Sequence, residues 1–125
     1  LVGVVSSVSP ANCTVYTLFN SDISVSAYEI RTRESCYTES DYALSGEGCL
    51  KLSGLKKNTP VVSGGIVCTS GIGGIYPKDL VIGTVREIKN DVTGLSSYGL
   101  LETGINFSKL TDVFVITDFE GKSDG

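Results

Sequence analysis

The chain has 125 residues, 41% hydrophobic and 19% charged, with 10 Lys plus Arg against 14 Asp plus Glu for a formal charge of -4. That balance suits one modest globular core and argues against a nucleic-acid partner, which needs a basic stripe. His and Met are both absent, so no imidazole base or ligand is available and the chain reads as a fragment or processed form.

Val, Ile and Thr supply 34 residues while Ala supplies three and Gln none, with 16 Ser and 15 Gly. β-Branched residues favour pleated, half-buried surfaces, and the shortage of helix formers reinforces an all-β reading. Residues 1–8 alternate loosely and stop at the turn signal Ser9-Pro10. Residues 14–19 alternate polar and apolar until Asn20-Ser21-Asp22, and residues 24–31 form the clearest half-buried strand. A less regular strand is expected within 37–44, running into the turn at Gly46-Glu47-Gly48. Residues 49–53 alternate again, and Ile66-Val67-Cys68-Thr69 is a short apolar strand. Residues 80–88 form the longest candidate, with Gly83 marking a bulge or a close contact. Residues 97–102 and 113–117 complete the strands, and only 108–111 looks helical, capped by Ser108.

Eight or nine short strands at roughly ten-residue spacing indicate a sandwich or barrel. If two small barrels are present, their junction is expected where the pattern lapses, near residues 31–35, with a frayed polar tail at 120–125. Arg31, Arg33 and Glu34 could bridge such a junction or sit exposed. The cysteines Cys13, Cys36, Cys49 and Cys68 lie 23, 13 and 19 positions apart, with no CxxC. A metal site therefore has little support; buried inert thiols, or one or two disulfides outside the cytosol, are the open readings. The scattered tyrosines, Tyr16, Tyr28, Tyr37, Tyr42 and Tyr98, suit core or cross-strand packing.

The most informative stretch is TSGIGGIYPK, residues 69–78. Its glycines permit positive φ and close packing, while Pro77 fixes its own φ and biases Tyr76 toward extension. As a phosphate cradle the loop fails, because no helix and no GK[ST] follow. As a nucleophile loop it would need a base for Ser70, leaving only Lys78 or Lys109 for a dyad. A rigid turn remains, with Ile75 and Tyr76 either at its tip or folded onto the core.

The run TSGIGGIYPKDLVIGTV strongly resembles the signature of the bacterial rod shape-determining MreC family. The opening Leu1-Val2-Gly3-Val4-Val5 is similar to that family's LVG-x-V strand, and residues 17–20 with 25–27 to its VxLLTD…VxV region. Residues 106–110 followed by Val113-Phe114-Val115 resemble its closing segment. Two positions depart: Ser63-Gly64-Gly65 stands where Gly-Asp is usual, and Asp79 where Gly is common.

The resemblance implies tandem small six-stranded-type barrels without catalytic residues, the first incomplete here. Residues 1–32 would hold its remaining strands, 33–119 the second barrel, and the anchoring membrane helix would precede Leu1. It further implies a non-enzymatic scaffold of cell elongation on the outer face of the cytoplasmic membrane. MreD, penicillin-binding proteins and, through the membrane part, MreB are the implied partners; self-association is expected from unpaired edges. No cofactor or metal is implied. The candidate contact surface is Gly71, Ile72, Gly73, Gly74, Ile75, Tyr76 and Pro77, with Tyr76 as an aromatic anchor. A protease-like hydrolase and a wall-glycan binder are the alternatives.

Overall fold

A computed structural model of the chain describes residues 1–106 and 109–123. It contains eight strands: β1 Gly3–Val8, β2 Cys13–Thr17, β3 Ser26–Glu29, β4 Ser35–Glu39, β5 Cys49–Lys56, β6 Ile66–Thr69, β7 Val81–Asn90 and β8 Ser96–Glu102. β1 and β2 form an antiparallel hairpin. The other six close a barrel in the order β3-β4-β5-β8-β7-β6, every pairing antiparallel. The all-β reading and the small barrel are therefore correct.

Closure needs curvature, and bulges supply it. β5 shifts register between Leu52 and Leu55, so Leu50 and Leu52 point inward and Leu55 returns to the core three positions later. β6–β7 and β7–β8 shift again, which re-aims Ile82, Val85 and Ile88 toward the same interior. Ala27, Cys36, Val67 and Leu101 fill the rest, and Val25 and Leu18 join them at one end. Gly83 is the close contact expected: a Cβ there would meet the Glu102 carbonyl oxygen at 2.4 Å.

The hairpin is fastened to the barrel at its base. Leu18, whose N–H donates to Val2 O at 3.0 Å, is buried in the core cluster, and the Leu1 ammonium donates to Val81 O of β7 at 3.0 Å. Its far end stands free, with Val8 exposed.

Three local expectations change. The proposed 32/33 boundary cuts the β3–β4 connection, where Arg33 N–H bonds Glu29 O at 2.8 Å. β3 belongs to the barrel, so the break in strand pairing falls between Thr17 and Ser26. The strand expected over 37–44 ends at Glu39; a short helix, α1 Tyr42–Ser45, follows because Asp41 Oδ1 accepts from Ala43 and Leu44 N–H at 3.0 and 3.2 Å. Residues 113–117 are not a strand, and Phe114 is fully exposed; the closed barrel has no edge for them, and they do not pair with the hairpin. The expected Ser108 cap lies outside the described residues. The frayed tail expected over 120–125 lies partly outside the described residues; within them Ser123 N–H bonds Gly74 O at 2.9 Å.

Candidate functional site

The signature loop, residues 70–80, joins β6 to β7, and Thr69 organises its base. Thr69 N–H donates to Leu80 O at 2.8 Å, and Asp79 N–H donates to Thr69 O at 2.9 Å. The fully buried Thr69 hydroxyl donates to Pro77 O and accepts from Leu80 N–H at 2.9 Å. One residue thus closes both strands of the loop's neck. Ser70 N–H bonds Ser26 O at 2.9 Å, which ties the loop to β3.

The glycines serve distinct ends. Gly71, Gly73 and Gly74 have φ of 76°, 91° and 71°, a left-handed run that bulkier residues disfavour. Gly74 is also covered by the C-terminal turn: a Cβ there would meet Ser123 N at 2.6 Å and Gly121 O at 2.8 Å. Asp79, too, has positive φ, 68°. Glycine would suit that backbone; a short acidic side chain tolerates it, and here it accepts a hydrogen bond from the Tyr28 hydroxyl.

The predicted contact residues divide. Ile72 and Ile75 are 71% and 63% exposed at the loop's outer side. Tyr76 is half-buried and packs against the core cluster, and burial pushes its phenol above the usual range. Of the two open readings of 75–76, Ile75 takes the tip and Tyr76 the core. Ser70 Oγ accepts from Ile72 N–H at 3.3 Å, and no hydrogen bond joins it to Lys78 or Lys109 among the described residues.

Residues at the β3–β4 connection act as internal braces. The Glu34 carboxylate accepts from Lys56 N–H at 2.9 Å and from the Thr59 hydroxyl, while the Arg33 guanidinium lies 5.2 Å from the Tyr28 ring centroid. Glu29 is fully buried; one carboxylate oxygen accepts from Arg31 N–H and the other has no partner. Cys36, Cys49 and Cys68 are buried free thiols, and Cys13 is an exposed one. Burial first, then Glu34 and Glu29, pushes the Cys36 thiol to about 12. No cluster of three His, Cys, Asp or Glu capable of holding a metal occurs among the described residues.

Sequence reasoning missed Thr69, Tyr28 and Asp79 as the loop's fastenings. The alternation of residues 24–31 does assign Tyr28 to one face of β3, but its partner lies 51 positions away.

A six-stranded antiparallel barrel with an attached hairpin and a clamped glycine loop between two barrel strands defines a small all-β barrel module. Among known families the description that matches is the rod shape-determining protein MreC, barrel core, over residues 1–117. The chain belongs to the MreC family. It is 30% identical over 118 residues to the cell shape-determining protein MreC of Listeria monocytogenes, covering 93% of this chain and 40% of that relative's length. Its fold is similar to the crystal structure of MreC from Pseudomonas aeruginosa, with TM-score 0.74 at 20% identity over 82% of this chain and 65% of that one. A chain in the complex between penicillin-binding protein PBP2 and MreC from Helicobacter pylori also shares the fold, with TM-score 0.67 at 13% identity, covering 84% and 62% of the two chains.

Proposed function

We propose that the chain is the barrel region of a non-enzymatic scaffold that organises wall-synthesising proteins during cell elongation. Membership of a cell shape-determining family supports this reading. So does the loop itself, which holds Ile72 and Ile75 outward on a hydrogen-bonded neck. Preordered apolar tips of that kind bind with little entropic cost.

The partner class is the penicillin-binding proteins, as in the Helicobacter pylori complex. MreD and, through a membrane part, MreB are further partners, and the site of action is the outer face of the cytoplasmic membrane. The β1–β2 hairpin pairs with no third strand among the described residues; its open edges are the proposed route to self-association.

The test is biolayer interferometry of the chain against the soluble domain of an elongation penicillin-binding protein. Replacing both Ile72 and Ile75 by Ser is expected to weaken binding roughly tenfold without lowering Tm. Binding by the original chain with unchanged affinity in the variant would sink the assigned surface, and no binding at all would sink the partnership. Stoichiometric labelling of Ser70 by a fluorophosphonate probe would overturn the non-enzymatic reading.

A further inference from the structure

On the barrel's outer face, Tyr37 of β4 and Gly54 of β5 make a second feature that the loop contacts leave unused. Gly54 sits in the β5 bulge with φ 83°, and a Cβ there would stand 3.0 Å from the Tyr37 ring. The ring therefore rests on bare backbone, while 40% of the residue stays exposed. Such support fixes an aromatic platform without covering it.

Grooves open on both sides of this platform and share Tyr37 and Gly54. The larger, about 380 Å³, is bordered by Ser24, Ser26, Ser35 and Ser70, with Ile72 among its other lining residues. The smaller, about 150 Å³, reaches Lys51, Asp91 and Tyr98. Because Tyr37 and Gly54 line both, the two grooves adjoin as a trough across neighbouring strands. Tyr37 pairs with Ser53, and Leu52 pairs with Gly99 beside Tyr98; β4 and β8 thus stand two strand spacings apart, about 10 Å.

The lining chemistry selects the ligand. No charged side chain borders the larger groove, so a phosphate or an acidic peptide would find no counter-charge. The hydroxyls of Ser24, Ser26 and Ser35 make no hydrogen bond within the described residues, and each can both donate and accept. At the far end the Lys51 ammonium lies 5.1 Å from the Tyr98 ring centroid, and Glu39 and Asp91 line the same groove, so it offers both a donor and acceptors. An amphipathic aromatic face ringed by uncommitted hydroxyls matches a sugar, which presents a C–H face and a hydroxyl rim. The larger groove is also of ligand-pocket size.

We propose that this trough is a glycan-binding site, taking an uncharged oligosaccharide of more than one ring with Tyr37 as its stacking platform. The site borders the protein contacts proposed above and shares Ile72 with them, whereas Tyr37, Gly54, Ser24 and Ser35 belong to it alone and Ile75 takes no part in it.

The test is an NMR titration of the isotopically labelled chain with chitotetraose, and in parallel with an uncharged tetrapeptide. Saturable shifts at Ser24, Ser35, Tyr37 and Gly54 with the sugar, and none with the peptide, are expected. Tyr37→Ala should weaken the sugar roughly tenfold while Tyr37→Phe keeps the stacking and most of the affinity. Ser24→Trp, which fills the groove from a loop, should abolish binding, and it decides the matter alone should Tyr37→Ala unfold. Absence of saturable sugar shifts, shifts confined to another face, equal or stronger binding of the peptide, or full affinity in Ser24→Trp would each overturn the site.

Discussion

The Tyr28 hydroxyl donates to Asp79 Oδ1, fastening β3 to the end of the signature loop across 51 positions of sequence. Asp79 occupies a left-handed backbone at φ 68°, so its side chain and its main chain serve the loop separately. Asp79→Ala is expected to lower stability, because it loses the bond and leaves the positive-φ Cβ of Asp79 in place. Asp79→Gly should lose clearly less, because it relieves the backbone. Urea unfolding separates the two, and equal losses would show that the backbone conformation contributes nothing.

Thr69 is the stronger fastening. Its buried hydroxyl both donates to Pro77 O and accepts from Leu80 N–H. Thr69→Val preserves shape and removes both bonds, stranding a carbonyl and an amide at the neck. A loss of about 2 kcal/mol is expected, together with faster amide exchange at Leu80. Unchanged exchange there would mean that the loop is held by its backbone alone.

Tyr76 and Ile75 are adjacent in sequence and opposite in role. Tyr76 packs on the core cluster, whereas Ile75 is 63% exposed. Tyr76→Ala should lower stability by about 2 kcal/mol, a transfer and cavity loss moderated by half-burial. Ile75→Ser should shift Tm by no more than a degree or two. Thermal unfolding of the pair tests the assignment, and a stable Tyr76→Ala would return the tyrosine to the contact surface.

The cysteines supply a pH prediction. Burial holds the Cys36 thiol at about 12 against an ordinary 9.0, so above pH 9 the folded chain keeps a proton that the unfolded chain releases. Its contribution to stability is complete below about pH 9 and declines as pH climbs through about 12. The urea midpoint of Cys36→Ala should accordingly fall less steeply above pH 9, from a lower value at neutrality. Parallel profiles would contradict the buried thiol. At pH 7.5 a maleimide should label Cys13 alone in the folded chain and all four thiols in denaturant, by mass spectrometry.

Strand existence was legible because it depends on neighbours in sequence. Alternation over residues 24–31 and the β-branched run at 66–69 identified β3 and β6, and the glycine spacing identified the loop. The four-residue helix α1 was not, since a single turn leaves no periodicity and only Asp41 announces it. Residues 113–117 carried a convincing strand pattern, yet β-propensity yields structure only where tertiary packing supports it; the barrel closes without them and they do not join the hairpin.

From the sequence alone come the all-β class, the family signature and a rigid loop at 70–80, each a property of local pattern and backbone freedom. Tertiary structure alone decides that β3 belongs to the barrel, that Tyr76 turns inward while Ile75 faces out, and that Tyr37 lies on Gly54 beside unpartnered serines. Those outcomes depend on strand register and on bulges that shift the inward face, set by contacts between residues far apart in the chain.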